Sequence, residues 1–182
     1  SKELADFCYQ YFCNKRAVTR LFFDEKYISQ VNADWGVWND EQIPETYSHY
    51  GDIVMETLLQ KLKPLMEKET KLKLNETYSY ARIYKKGDEL KKHKDRYSCE
   101  ISTTLHLGGE QWSIFLEGKE VKLGVGDMLI YSGCELEHWR EPFTGENCGQ
   151  VFLHYNDVSK DTAEENKFDG RPILGLPSWF KK

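Results

Sequence analysis

The stretch Tyr78-Ser79-Tyr80-Ala81-Arg82-Ile83-Tyr84-Lys85-Lys86-Gly87, followed by His93-Lys94-Asp95, decides how the chain folds. After Asn75 the side-chain pattern changes to a period of two. Tyr78 to Tyr84 therefore reads as a strand, and Gly87 as the turn that ends it. Working outward, Ser98 to Leu107 is a second strand closed by Gly108-Gly109. Gln111 to Leu116, Glu120 to Leu123, Asp127 to Tyr131 and Gln150 to Tyr155 are further short strands. Short strands at this spacing, preceded by helices, predict a mainly β domain of the α+β kind. The expected architecture is a sandwich or barrel buttressed by helices.

Upstream, the spacing of Leu4, Phe7, Cys8, Tyr11 and Phe12 predicts a helix over Lys2 to Asn14. A loop is expected from Asn32 to Glu45, with His49 in the connection beyond it. A second helix is expected from Asp52 to about Lys68, with Asp52 as N-cap and Pro64 kinking or interrupting its last turns. The tail from Ser159 to Lys167 is polar and loop-like, and Phe168 to Pro177 is apolar enough to dock on the body. The whole chain, 1–182, thus reads as one domain: about 1–74 helical support, about 75–158 barrel, 159–182 tail.

A net charge of −5 argues against nucleic acid or an anionic membrane held by bulk charge. A local basic collar of Lys85, Lys86, Lys91, Lys92, Lys94 and Arg96 is a solvated edge, or else an attractor for an anionic substrate or acidic peptide. Five cysteines without a Cys-x-x-Cys pair favour a reduced, intracellular chain. Neither a signal peptide nor an apolar run of about 18 residues is present, so a soluble cytoplasmic protein is expected. Ser1 is not an initiator residue, which predicts a trimmed N-terminus.

His93 and Asp95 at i and i+2 of a strand would share one face. An imidazole from a neighbouring strand, His138, completes two histidines and one carboxylate, which leaves coordination positions open and suits non-haem Fe(II). Alone, His-x-Asp is a common tripeptide. Its context is not: Gly87 turns the chain before it, Gly126-Asp127 starts the strand before His138, and Ser102, Thr104 and His106 line one face of the intervening strand. Ile101, Thr103, Leu105 and Leu107 lie on the opposite, core face.

These parts together resemble the Fe(II)- and 2-oxoglutarate-dependent oxygenases, nearest to the prolyl 4-hydroxylase-like group. The matching pieces are Tyr84-Lys85-Lys86-Gly87, His93-Lys94-Asp95, Gly126-Asp127, His138 and Val151-Phe152-Leu153-His154-Tyr155. Asp95-Arg96, Cys99-Glu100-Ile101-Ser102, His138-Trp139-Arg140-Glu141 and Lys167-Phe168-Asp169-Gly170-Arg171-Pro172 are similar to an uncharacterised bacterial and viral branch. The resemblance implies a double-stranded β-helix, a jelly-roll or cupin-like barrel, with a metal centre of His93, Asp95 and His138 holding Fe(II). It implies 2-oxoglutarate and O2 as co-substrates and ascorbate as a supporting reductant. It further implies hydroxylation of a C–H bond with decarboxylation of 2-oxoglutarate to succinate. Asp95 favours hydroxylation over halogenation, because halogenating relatives carry a small residue there.

The resemblance also implies a basic residue downstream of the distal histidine to hold the far carboxylate of 2-oxoglutarate. Here that region reads Glu146-Asn147-Cys148-Gly149-Gln150, without a base. Arg140 is the first candidate, then Arg82 or Arg96, with Tyr84, Thr104 and His106 adding hydrogen bonds. Arg140 otherwise forms a surface ion pair with Glu141 or Glu137. His154 is expected to be a core residue and Trp139 a wall of the pocket. The substrate is expected to be a peptidyl, prolyl-like side chain or a small molecule. The alternatives are a non-enzymatic cupin-like ligand-binding barrel and an N-demethylase of the same fold. Oligomeric state is left open by the sequence.

Overall fold

Ala5, Cys8, Phe12, Thr19 and Phe23 fall on one buried stripe, and that stripe carries a single helix, α1 (Lys2–Asp24). The computed structural model describes residues 1–181. Helix α1 runs ten residues past Asn14 because Thr19 and Phe23 continue the apolar face beyond the polar Asn14-Lys15-Arg16 interruption. The following segment ends in β1 (Tyr47–Tyr50), a strand where the sequence suggested a loop, so His49 sits in a sheet. Helix α2 (Ile53–Thr70) is capped by Asp52, whose Oδ1 accepts from Val54 N at 2.9 Å and Met55 N at 3.1 Å. Pro64 does not interrupt it. Both Pro64 and Gln60, whose carbonyl loses its helical donor, are exposed to water.

The remaining strands are β2 (Leu74–Lys85), β3 (Leu90–His93), β4 (Ile101–Gly109), β5 (Ile114–Leu116), β6 (Lys119–Val121), β7 (Met128–Ser132), β8 (His138–Arg140) and β9 (Asn147–Asp157). They form two antiparallel sheets, in the orders β1-β2-β9-β4-β7 and β3-β8-β5-β6. This is a double-stranded β-helix. The helices pack on the outside of the five-stranded sheet, where Phe12, Met55, Leu59, Ile83, Leu107 and Leu153 share one core. The period of two then sorts each long strand. On β4, Thr103, Leu105 and Leu107 belong to the helix-facing row that Leu105 and Leu107 join to that core, while Ser102, Thr104 and His106 alternate with them.

Two glycines let α1 sit directly on the sheet. A Cβ on Gly108 or Gly149 would lie 2.6 Å or 2.5 Å from the Tyr9 ring. These two glycines are register partners on β4 and β9, beside an irregularity in the ladder between His106 and Gly108.

Asp52 also ties α1 to α2, accepting from Tyr11 Oη at 2.7 Å and Lys15 Nζ at 2.6 Å, with His49 Nδ1 at 3.3 Å. Burial alone would raise its pKa, but these partners outweigh burial and hold the carboxyl well below the usual carboxylate range. The folded protein therefore binds this proton less readily than the unfolded chain. The stabilisation is complete above about pH 4, near the unfolded value, and is lost as pH falls through the folded value. Urea unfolding across acidic pH should show Asp52→Asn with a flatter loss of stability below about pH 4 than the parent.

The tail is held mainly by charge. After the short helix α3 (Ala163–Asn166), Arg171 is buried and its guanidinium meets both oxygens of Glu56, at 2.7 Å and 3.3 Å. Ile173 is exposed, and only Leu174 of the apolar stretch reaches the core. The stretch expected to dock does so, with Leu174 on the core and the buried Arg171–Glu56 ion pair beside it.

Candidate metal centre

The three expected ligands converge. His93 ends β3 and His138 begins β8, and the two are register partners across that ladder. Asp95 lies just beyond the strand, so its placement is not the simple i, i+2 alternation. It is set instead by Asp95 N donating to Gly133 O at 2.9 Å in the turn after β7. Gly133 is indispensable there: a Cβ would come within 2.5 Å of Asp95 Oδ2 and of Cys99 O. The sequence signal for it, a glycine closing the strand Asp127 to Tyr131, was present but mute about its partner.

Asp95 Oδ1 stands 3.4 Å from His93 Nε2 and 3.5 Å from His138 Nε2. Donors about 2.1 Å from a first-row divalent ion and at right angles lie roughly 3 Å apart, so the three fit one ion with slight contraction. Each histidine engages a main-chain carbonyl through Nδ1, His93 with Lys91 O at 2.8 Å and His138 with Leu136 O at 2.9 Å. That contact orients the ring and leaves Nε2 as the ligand. For Asp95, burial would raise the pKa, but His138 and His93 outweigh it and keep the carboxyl well below its usual range. Two imidazoles and an ionised carboxylate on one side of a cavity form a facial donor set for a divalent metal.

The cavity beside them, about 350 Å³, is walled by the inward row of β2, Tyr78, Tyr80, Arg82 and Tyr84, with Tyr131 and Phe152. The three arginines differ in what they already hold. Arg82 is paired with Asp40 at 2.6 Å and Arg96 with Asp169 at 3.0 Å. Arg140 is fully buried and, among the described residues, has no acid within ion-pair distance. Its guanidinium donates to Trp112 O and, at 3.1 Å, to Thr104 Oγ1, and its Nε has no partner. Burial lowers its pKa without a carboxylate to oppose it. A surface pair with Glu141 or Glu137 is therefore excluded: Trp139 Nε1 donates to Glu141 and Lys92 lies against Glu137.

The ring of Trp112 joins Arg140 to Tyr84. The guanidinium stands 5.1 Å over it and the Tyr84 ring meets it edge-on at 4.8 Å. Tyr84 Oη is buried with no hydrogen-bond partner. His106 is not part of this group. Its ring nitrogens face Leu123 O and Gly108 O, which consumes its capacity to meet a ligand. Trp139 faces away from the cavity, stacked on Phe115, because it alternates with the inward His138 and Arg140 on β8. His154 is buried against Tyr78, and burial pushes its pKa down to about 4.

No protein-family model and no curated protein sequence matches the chain. Solved structures do. The chain is similar to a Pseudomonas putida prolyl-4-hydroxylase with a TM-score of 0.57, at 15% identity over 87% of this chain and 89% of that one. It is similar to AviO1 from Streptomyces viridochromogenes Tue57 with a TM-score of 0.60, at 14% identity over 84% and 85%. A Burkholderia pseudomallei oxidoreductase of the 2OG-Fe(II) oxygenase family matches with a TM-score of 0.50, at 13% identity over 62% and 68%. The chain shares its double-stranded β-helix fold with these proteins. Within this fold, His93, Asp95 and His138 line the cavity, and Arg140, two residues beyond His138 on β8, is fully buried. All five cysteines carry free thiols. Among the described residues no helix is long and apolar enough to cross a membrane.

Proposed function

We propose that the protein is an Fe(II)- and 2-oxoglutarate-dependent dioxygenase that hydroxylates a C–H bond of a peptidyl, prolyl-like or small-molecule substrate. The observation that carries this reading is a pairing: a two-histidine, one-carboxylate donor set beside a buried arginine that has no acid. His93 Nε2, Asp95 and His138 Nε2 would hold the metal. When bound, Fe(II) supplies the oxygen activation that couples decarboxylation of 2-oxoglutarate to substrate hydroxylation.

The chain's own residues bind, orient and exclude water. Arg140 provides a charged, planar donor in a dry site, where a carboxylate gains most from it. Thr104 fixes the guanidinium, and Tyr84 Oη offers a free donor on the same side. Tyr131, edge-on to His138 at 5.0 Å, closes the wall behind the ring. Tyr78, Tyr80 and Arg82 line the cavity that a substrate side chain would enter. A buried donor that gains a charged acceptor contributes about 1.5–3 kcal/mol. Tyr84→Phe should therefore raise the 2-oxoglutarate concentration for half-maximal turnover about ten- to a hundredfold, with metal affinity unchanged.

The deciding experiment supplies the protein with Fe(II), ascorbate and 2-oxoglutarate and measures succinate, with Tyr84→Phe in parallel. Metal-dependent succinate above the metal-free control is the expected outcome. If 2-oxoglutarate neither binds in the presence of metal nor yields succinate, the oxygenase reading is wrong and a plain ligand-binding barrel replaces it.

A further inference from the structure

Asp95 belongs to two constellations. One of its sides faces His93 and His138. A potential ligand atom of Cys99 and one of His154 also lie within 4.8 Å of the Asp95 carboxylate and of each other. Cys99 and His154 are both buried, and all three residues line the same cavity. The group is held in place independently of the first. Ser102 Oγ lies 2.8 Å from Cys99 O, 2.9 Å from His154 Nδ1 and 3.3 Å from Asp95 Oδ2, so one hydroxyl touches all three residues, sharing its single proton between the Cys99 carbonyl and the Asp95 carboxylate. Tyr78 Oη is 3.0 Å from Cys99 Sγ, positioned to donate to sulfur. The nearest cation, Arg96 over the Tyr78 ring, is already paired with Asp169.

We infer that Asp95, Cys99 and His154 form a second metal site for a thiophilic divalent ion of the zinc class, with Asp95 bridging it to the two-histidine site. A thiolate, an imidazole and a carboxylate are the ligand types that such an ion takes, and three protein ligands leave it an open position toward the cavity. The histidine pair offers only nitrogen and oxygen, so sulfur distinguishes the two sites by ligand softness. A carboxylate with one oxygen toward each set can join ions about 3.5–4 Å apart. On binding, the Cys99 thiol gives its proton to solvent through the cavity and the thiolate sulfur bonds to the ion, with Tyr78 and Ser102 supplying the surrounding hydrogen bonds. The bridging role of Asp95 rests on the reading of His93, Asp95 and His138 as the iron site; the Cys99–His154 pair does not.

Cobalt(II) is the probe, because a cobalt–thiolate bond absorbs in the near ultraviolet whereas a nitrogen–oxygen site does not. The full chain, stripped of metal by chelator, is titrated with Co2+ alone while absorbance is followed and ions are counted by native mass spectrometry. The expected result is a sulfur-to-cobalt band and two ions per chain. His93→Ala should keep the band and lose one ion. Cys99→Ser should lose the band and keep the other ion, its fold checked by circular dichroism. His154→Phe, which retains a ring against Tyr78, should weaken the sulfur-site affinity at least about tenfold. A wild-type titration without the band, or a band that survives Cys99→Ser, overturns the second site. If Cys99→Ser fails to fold, an unchanged cobalt affinity in His154→Phe overturns it equally. Loss of the nitrogen–oxygen ion with the band intact would count against the oxygenase reading alone, so the two failures are separable.

Discussion

Arg140→Met should weaken 2-oxoglutarate binding by roughly two orders of magnitude while leaving the fold intact. Truncating one partner of a buried charge pair costs about 2–5 kcal/mol, and each 1.4 kcal/mol is about tenfold in affinity. The separate prediction on stability makes this test selective. A guanidinium that is fully buried without an acid is a burden on the ligand-free fold. Methionine of similar length removes that burden but leaves Trp112 O and Thr104 Oγ1 without their donor, a loss of about 1–3 kcal/mol. The two effects oppose, so the urea midpoint should move little. Were Arg140 merely structural, the variant would instead unfold easily and bind whatever the parent binds. Calorimetric titration with 2-oxoglutarate in the presence of a divalent metal checks the first half, and an unchanged affinity would move the anchoring role to Arg82 or Arg96. Both of those would then have to release an acid, Asp40 or Asp169, to take it up.

Glu56→Ala should be the most destabilising single change outside the apolar core. Glu56 receives both Arg171 nitrogens and the main-chain N–H groups of Ser79 and Gly175. Its removal leaves a guanidinium buried without its acid, which costs about 3–5 kcal/mol. For a chain of this size that corresponds to a fall in Tm of roughly 6–20 °C. Arg171 also donates to Phe168 O and Thr77 O, so the loss should spread to the tail, read as earlier proteolytic cleavage beyond Asn166. The double variant Glu56→Met with Arg171→Met should be more stable than Glu56→Ala, because a buried pair replaced whole by apolar groups leaves no uncompensated charge. A double variant no better than the single one would show that the tail is held by something other than this pair.

The alternation on β4 was legible in the sequence because its two faces meet different media. Leu105 and Leu107 meet the helices, while Ser102 and Thr104 meet a polar interior. The candidate donor set His93, Asp95 and His138 was signalled by local features, turn residues and a histidine at each strand end. Other features depend on contacts that no local pattern encodes. The strand Tyr47–Tyr50 is four residues long, too short for a period to declare itself. Asp95 is aimed by a carbonyl of Gly133, thirty-eight positions away in the chain. The two-residue spacing from His138 already put Arg140 on the inward face. That its neighbours would be Trp112 and Thr104 rather than an acid became evident only once β8 was placed against β5. Arg82 and Arg96 stood behind Arg140 as candidates in sequence, but nothing local showed that each is already paired, since Asp40 and Asp169 lie far from them along the chain.

The Tyr9 ring lying flat across Gly108 and Gly149 has a consequence for how this architecture can vary. A helix and a barrel joined by side-chain interdigitation can drift apart by small, separate replacements. Here a ring occupies space that two absent side chains vacate, so three positions on three elements form one heritable unit. A bulkier residue at either glycine evicts the ring, and a smaller residue at position 9 opens a void over exposed main chain. Exchanging the amino-terminal helix between barrels of this kind should therefore succeed only when the aromatic residue and both glycines travel together.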